Sequence, residues 1–245
     1  MTNRWDLINF SKCNGYANMA IDEALYINFK HRTDKQLCGI VRFYEFIDSA
    51  VTLGCFQKMS QFPTGKFSED YDIVRRITGG GLVNHDESLT FSLISKQEAH
   101  EHFATVGQFY KMLHCALFKG FLGCGIRLSM HTKPSQEMEK PIDTINECFS
   151  QPVEYDLMYK GVKIVGGAQK RSHGYVLHQS SIYLGIDEWK ERPYLRGLLR
   201  NVIVKQMEDL FDIKFDARSL TTKETEDALR LEEGKYRTEE WRNKY

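Results

Sequence analysis

Nowhere does the chain approach the ~18 to 20 consecutive apolar residues that a bilayer-spanning helix requires, which excludes a helical membrane protein. Its opening residues, Met1 to Asp6, lack the apolar centre of a secretory signal, so export is not expected. A charge imbalance is missing too. Thirty-three Lys and Arg residues offset 33 Asp and Glu, leaving no bulk attraction to nucleic acid or to an anionic membrane surface. The six cysteines, Cys13, Cys38, Cys55, Cys115, Cys124 and Cys148, lack the paired spacing of a zinc site or a redox motif, and no metal site is expected. They read as reduced thiols of a cytoplasmic protein, most of them small core fillers. No internal repeat and no low-complexity linker interrupts the sequence.

What is present is the composition of an ordinary globular protein of 245 residues, 42% apolar and 27% charged. Trp5 to Phe10 suits a strand closed by Asn14-Gly15, and Tyr16, Ala20, Ala24 and Ile27 recur at helical spacing up to about Lys30. Ile40–Phe46 and Ala50–Leu53 read as two strands, and the aperiodic Gln57 to Ser68 as a loop or broken helix. Glu87 to Ile94 alternates with period two, while Phe103, Val106, Tyr110, Leu113, Leu117 and Phe121 mark the buried face of a long helix. The polar stretch His131 to Pro141 reads as a surface connection, with a mobile loop over the site as the alternative. Val153–Tyr159 and Val162–Val165 form a hairpin about Lys160-Gly161, followed by a strand over Gly174 to Leu184 and helical patterns from Tyr194 to Leu210 and Thr222 to Leu231. Strands interspersed with helices, without βαβ regularity, predict an α+β fold with a mixed, mostly antiparallel sheet flanked by helices. Residues 1–210 are expected to form one domain and 211–245 a helical tail packed on it.

Two glycine-bearing stretches stand out. Arg75-Arg76-Ile77-Thr78-Gly79-Gly80-Gly81 lies between strand-like runs and ends in His85-Asp86. Consecutive glycines permit positive φ and leave no Cβ atoms between a ligand and backbone N–H groups. The arginines at the entrance are fork-shaped donors suited to carboxylate or phosphate. A glycine-rich hairpin with solvated arginines is the plain alternative. About ninety residues on comes Gly161-Val162-Lys163-Ile164-Val165-Gly166-Gly167-Ala168.

Together these stretches resemble the catalytic domain shared by lipoate-protein ligases and octanoyltransferases and, more distantly, biotin-protein ligases. That family has an Arg-Arg-x-Ser/Thr-Gly-Gly-Gly/Arg loop ending in His-Asp and a Gly-x-Lys-Ile/Val-x-Gly-x-Ala segment. The resemblance runs nearly the whole chain, through Asn18 to Ala24, Leu53 to Gln57 and Lys235 to Trp241. It implies a fold of the biotin/lipoate-protein ligase catalytic-domain type and attachment of an octanoyl or lipoyl group to a lysine of a lipoyl domain of a 2-oxoacid dehydrogenase E2 or of a glycine-cleavage H protein.

The resemblance also implies roles. Lys163 is the lysine of the acyl-binding cleft, where an ammonium holds the acyl carbonyl oxygen or an adenylate phosphate; a solvated hairpin lysine is the alternative from spacing alone. Cys148, in a Cys-Phe pair shared with octanoyltransferases, is a candidate nucleophile taking the acyl group from a carrier-protein thioester, with Lys163 or His85 as the neighbour that activates it; a buried filler is the alternative. Arg76, Thr78, Gly79, Gly80 and Gly81 line the cleft beside Gly166, Gly167 and Ala168, and His85 and Asp86 brace the loop or orient the acceptor amine. Where relatives have His-Gly-Ser/Thr, this chain has Gln179-Ser180-Ser181, with His178 one residue early. The transferase route through Cys148, with acyl carrier protein as a possible donor, needs no cofactor. An ATP-dependent ligase needs ATP and Mg, with lipoate as substrate, and a non-catalytic acyl-binding relative is the third reading. The chain ends about where single-chain ligases begin an accessory domain, which favours the transferase or a ligase with a separate partner chain, and a monomer is expected.

Overall fold

The computed structural model describes residues 3–34, 36–63, 65–132 and 152–245. In chain order the elements are β1 (Asn3–Cys13), α1 (Gly15–Lys30), β2 (Leu37–Phe46), β3 (Ala50–Leu53), β4 (Asp72–Arg75), β5 (Val83–Asn84), β6 (Ser88–Lys96) and α2 (Val106–Gly123). There follow β7 (Ser129–Met130), β8 (Leu157–Tyr159), β9 (Val162–Lys163), β10 (Val165–Ser172), β11 (Tyr175–Tyr183), α3 (Asp187–Lys190), α4 (Leu195–Phe211), β12 (Ile213–Arg218), α5 (Thr222–Leu231) and α6 (Glu239–Arg242).

Strands β10, β11, β6, β2, β1 and β12 form the main sheet in that order. Its first three pairings are antiparallel, and those of β2 with β1 and of β1 with β12 are parallel. The fold is therefore α+β with a mixed, mostly antiparallel sheet. Each strand places alternate residues on opposite faces, and here both faces are covered. Val41, Phe43, Leu89, Phe91 and Leu93 pack against Phe109, Leu113 and Leu117 of α2 and Leu199, Ile203 and Met207 of α4. Ile40, Tyr44, Ile94 and Leu177 pack against Ala20, Ala24, Leu25 and Phe29 of α1.

Local chemistry sets several boundaries. The Asn14 side chain accepts from Ala17 N at 2.8 Å and starts α1. Lys160 and Gly161 have φ of +48° and +83°, the two-residue turn whose twist suits a tight hairpin. Two small sheets, β4-β3-β5 and β7-β8-β9, flank the main one. β3 follows β2 closely in the chain but joins a different sheet.

Three expectations give way. Val106 is 55% exposed and Ile27 37%, because the buried stripes of their helices run through Phe109, Leu113, Ala116 and Leu117, and through Ala20, Ala24 and Leu25. The segment 211–245 does not begin as a helix. Its first element, β12, extends the main sheet by pairing Asn3 with Ile213 through Ile8 with Arg218, which satisfies the edge of β1 and sets Phe215 edge-on to Trp5 at 6.3 Å. The five described cysteines are free and each half-buried rather than fully buried. Among the described residues no helix is long and apolar enough to cross a membrane.

Candidate active site

The triple-glycine loop leaves β4 and rests on the end of β3. Gly80 has φ of +84°, which excludes a side chain without strain. A Cβ on Gly54 would lie 1.9 Å from the Gly80 carbonyl oxygen, so the loop seats directly on glycine. On its other side, the place of a Gly80 Cβ is 3.2 Å from Ala168 Cβ of β10. The glycine loop and the strand after Lys163 thus touch.

The arginines are turned inward, which corrects their reading as donors presented to an anion. Arg75 gives its guanidinium to the carbonyls of Gly54, Cys55, Gln57 and Arg242. Arg76 donates to the Thr52 carbonyl and hydroxyl and, at 2.7 Å each, to the carbonyls of Gly79 and Gly81. Buried carbonyls need donors, and a glycine loop has no side chains of its own to supply them.

Beneath the loop Thr78 is fully buried, its hydroxyl donating to Gln179 Oε1 at 2.7 Å. Gln179 Nε2 donates in turn to Asp22 Oδ2 at 2.8 Å. Asp22 also receives Arg42, Tyr44 and Ser92. Neither Asp22 nor Gln179 figured in the expected site. Asn18 and Asp22, polar residues four apart on the buried side of α1, were the available signal.

Lys163 points into the protein wall, not into water: it is 5% exposed, and its Nζ lies 2.7 Å from Oδ2 of Asp156, which is 0% exposed. Asp156 was not anticipated, yet the hairpin register implies it. Met158 lies opposite Lys163, so the diagonal neighbour on the same face is residue 156.

Lys163 and Asp86 line one cleft of about 350 Å³ with Leu82, Phe67, Val162 and Tyr183, a size within the usual ligand range. Leu82, which directly follows the triple glycine, is on its wall, but Thr78 and Gly79 to Gly81, expected to line the cleft, are not. Arg76, His85, Gly166, Gly167 and Ala168 line a separate recess of only about 20 Å³ with Gln179, Ser180 and Ser181, room for roughly one water. The expectation that Gly166 to Ala168 clear space for an acyl chain is corrected at Gly167. A Cβ there would meet His178 Cε1 and Ser180 Oγ at 2.7 Å, so its small size accommodates a protein side chain. Asp86, exposed at the rim, accepts from Tyr71 and Asn84. Cys148 lies outside the described residues.

His85 is stacked on Phe46 at 4.1 Å, with Nε2 2.9 Å from the Thr52 hydroxyl. The same hydroxyl accepts from Arg76. Burial, reinforced by Arg76, lowers the His85 pKa to about 3. Burial lowers His178 to about 3 with help from His114 and Arg171, and His114 to about 4. All three values lie below the free value of 6.5, so the unfolded chain binds more protons between about pH 6.5 and 4. Their contribution to stability is full above pH 6.5 and is lost as pH falls, by ~1.4 kcal/mol per unit for each histidine. Denaturant midpoints measured from pH 7.5 to 4.5 should fall steeply below 6.5; a flat profile would show that these imidazoles are not buried neutral.

Residues 14–219 match the family model of the lipoyl protein ligase A/B catalytic domain. The chain belongs to that family. It is 31% identical to the octanoyltransferase LipM of Staphylococcus epidermidis, over 98% of this chain and 99% of that one. To the octanoyltransferase LipM of Bacillus subtilis it is 32% identical, over 76% and 67% respectively. In structure it is similar to a chain from the Thermoplasma acidophilum lipoylation system, a bi-partite lipoate protein ligase and its E2 lipoyl domain. The TM-score is 0.70 at 23% identity, over 99% of this chain and 96% of that chain. Family membership makes the protein an enzyme of the transferase or ligase kind, and on this fold the lysine hairpin and the residues just after the glycine loop line one cleft.

Proposed function

We propose that this enzyme transfers an octanoyl group from a thioester donor, an acyl carrier protein or a donor domain, to a lysine of a lipoyl domain in the cytoplasm. The observation that carries the reading is Lys163: a lysine removed from water, paired with Asp156 and lining a ligand-sized cleft with Leu82 and Asp86, which follow the glycine loop. An ammonium so placed suits a carbonyl oxygen on which negative charge develops. The names of the relatives most similar in sequence support an octanoyl group, and the lipoylation system of T. acidophilum supports a lipoyl domain as acceptor.

In this reading Cys148 gives up its proton and attacks the donor carbonyl as a thiolate, and the carrier sulfur leaves as a thiolate that takes up the proton Cys148 lost. The acyl group then rests on Cys148 as a thioester. The neutral amine of the acceptor lysine attacks that carbonyl, the amide forms, and the Cys148 sulfur departs, with the amine proton lost to solvent or to the departing thiolate. Thioester gives way to amide, a downhill exchange, so neither ATP nor Mg is needed. The ligase route through lipoyl-AMP is less favoured, since Arg75 and Arg76 direct guanidinium donors at main-chain carbonyls rather than at a phosphate.

Incubating the enzyme and an apo lipoyl domain with octanoyl carrier protein, or with lipoate and ATP, and weighing the domain separates the two routes. The expected result is a mass gain from the carrier without ATP, abolished by Cys148→Ala. A gain only with ATP would reject the thioester route, and a carrier-dependent gain that survives Cys148→Ala would reject the nucleophile. No gain under either condition favours a non-catalytic acyl-binding relative.

A further inference from the structure

Asp156 is a fully buried carboxylate with donors converging from three directions. Lys163 Nζ and the Val153 N–H reach its Oδ2 at 2.7 and 2.6 Å, and the Tyr110 hydroxyl of α2 donates to its Oδ1. The residue before it is held in an unfavourable backbone conformation. Tyr155 has φ of +72° without being glycine, a strained conformation that persists only where the surroundings impose it. They do so here: Tyr155 N donates to the His131 carbonyl at 2.7 Å, and the Tyr155 carbonyl lies 2.9 Å from His114 Nδ1. The His114 ring is itself packed on Tyr110, with centroids 3.9 Å apart. Two adjacent turns of α2 therefore hold both the strained residue and the carboxylate that follows it.

We propose that Asp156, braced by Tyr110, is a positioning residue that fixes the Lys163 ammonium at the cleft wall for acyl transfer. The inference rests on the role given to Lys163 above. A lysine side chain is flexible and has many rotamers open to it. An isolated hairpin lysine opposite Met158 has no reason to keep one conformation, and its charge favours bulk water. The ion pair with Asp156 holds the ammonium at the cleft wall, where its N–H groups can serve an oxygen in the cleft. The carboxylate touches no reacting atom and acts only through the lysine.

The test is steady-state transfer from octanoyl carrier protein to an apo lipoyl domain, with wild type, Lys163→Ala, Asp156→Asn and Tyr110→Phe compared and folding checked by circular dichroism. Asp156→Asn keeps the shape but removes the charge. It should lower kcat by about 100-fold, the scale of a catalytic group displaced by about 1 Å, with KM for the lipoyl domain unchanged. Tyr110→Phe removes one hydroxyl and should lower kcat several-fold, again without a change in KM; it decides the matter if Asp156→Asn does not fold. Lys160→Ala, an exposed lysine of the same hairpin, should leave both constants at wild-type values. If folded Asp156→Asn and Tyr110→Phe keep wild-type kcat, or raise KM in step with any loss of kcat, while Lys163→Ala is inactive, the positioning role is wrong and the functional reading stands. If Lys163→Ala is as active as wild type, both are wrong.

Discussion

Lys163→Met is expected to abolish octanoyl transfer, lowering kcat by at least ~100-fold, and to destabilise the fold at the same time. The methionine fills much of the space of the lysine stem but leaves the Asp156 carboxylate without its counter-charge. Breaking a buried ion pair by removing one partner costs about 3 to 5 kcal/mol, and among the described residues the Asp156 carboxylate retains the Tyr110 hydroxyl and the Val153 N–H. The two effects separate in the double variant Lys163→Met/Asp156→Leu. Replacing both members of a buried pair by apolar groups is often close to neutral, so stability should recover while transfer should not. Urea denaturation and the mass-gain assay on the same preparations read the two quantities. Transfer by the single variant at wild-type rate would remove the lysine from the mechanism.

Asp22→Ala should cause the largest loss of stability among substitutions remote from the cleft. Asp22 accepts from Arg42 NH1 at 2.9 Å, Ser92 Oγ at 2.8 Å, Tyr44 OH at 2.8 Å and Gln179 Nε2 at 2.8 Å. Its removal leaves the Arg42 guanidinium, which is 1% exposed, with the neutral acceptors of Asn18 and Ser11 but without the carboxylate that balances its charge. An unpaired buried charge costs about 3 to 5 kcal/mol, which for a chain of this size lowers Tm by roughly 10 °C. The damage should also reach the glycine loop, because Gln179 holds Thr78 through the bond to its hydroxyl. Lys12→Ala, which breaks the exposed end of the Lys12–Glu45 pair, should stay within about 1 kcal/mol. Equal melting temperatures for Asp22→Ala and Lys12→Ala would refute the buried network.

Much of the architecture was legible because it is written in local chemistry. Asn14 caps α1 within three residues, Lys160-Gly161 closes a hairpin by its own turn preference, and alternation over Leu89, Phe91 and Leu93 marks a strand whatever it packs against. The alternation of Ile213, Phe215 and Ala217 with Lys214, Asp216 and Arg218 was equally available as a signal for β12, although the segment reads as the start of a helical tail. The phase of α2 was harder. Its aromatic and aliphatic residues occupy several helix faces, and only the positions of α4 and the main sheet decide that Phe109 goes inside and Val106 outside.

The sequence by itself determined the family, the α+β class, and the two stretches that meet at the site, since each depends on residue types at fixed short separations. Tertiary structure alone decided what their polar groups do. Whether Arg76 faces a ligand or the Gly79 and Gly81 carbonyls, and whether Lys163 lies in water or against Asp156, depends on which acceptors the fold brings within 3 Å. Desolvation then enforces the result, because a charge or carbonyl withdrawn from water must take the nearest partner available.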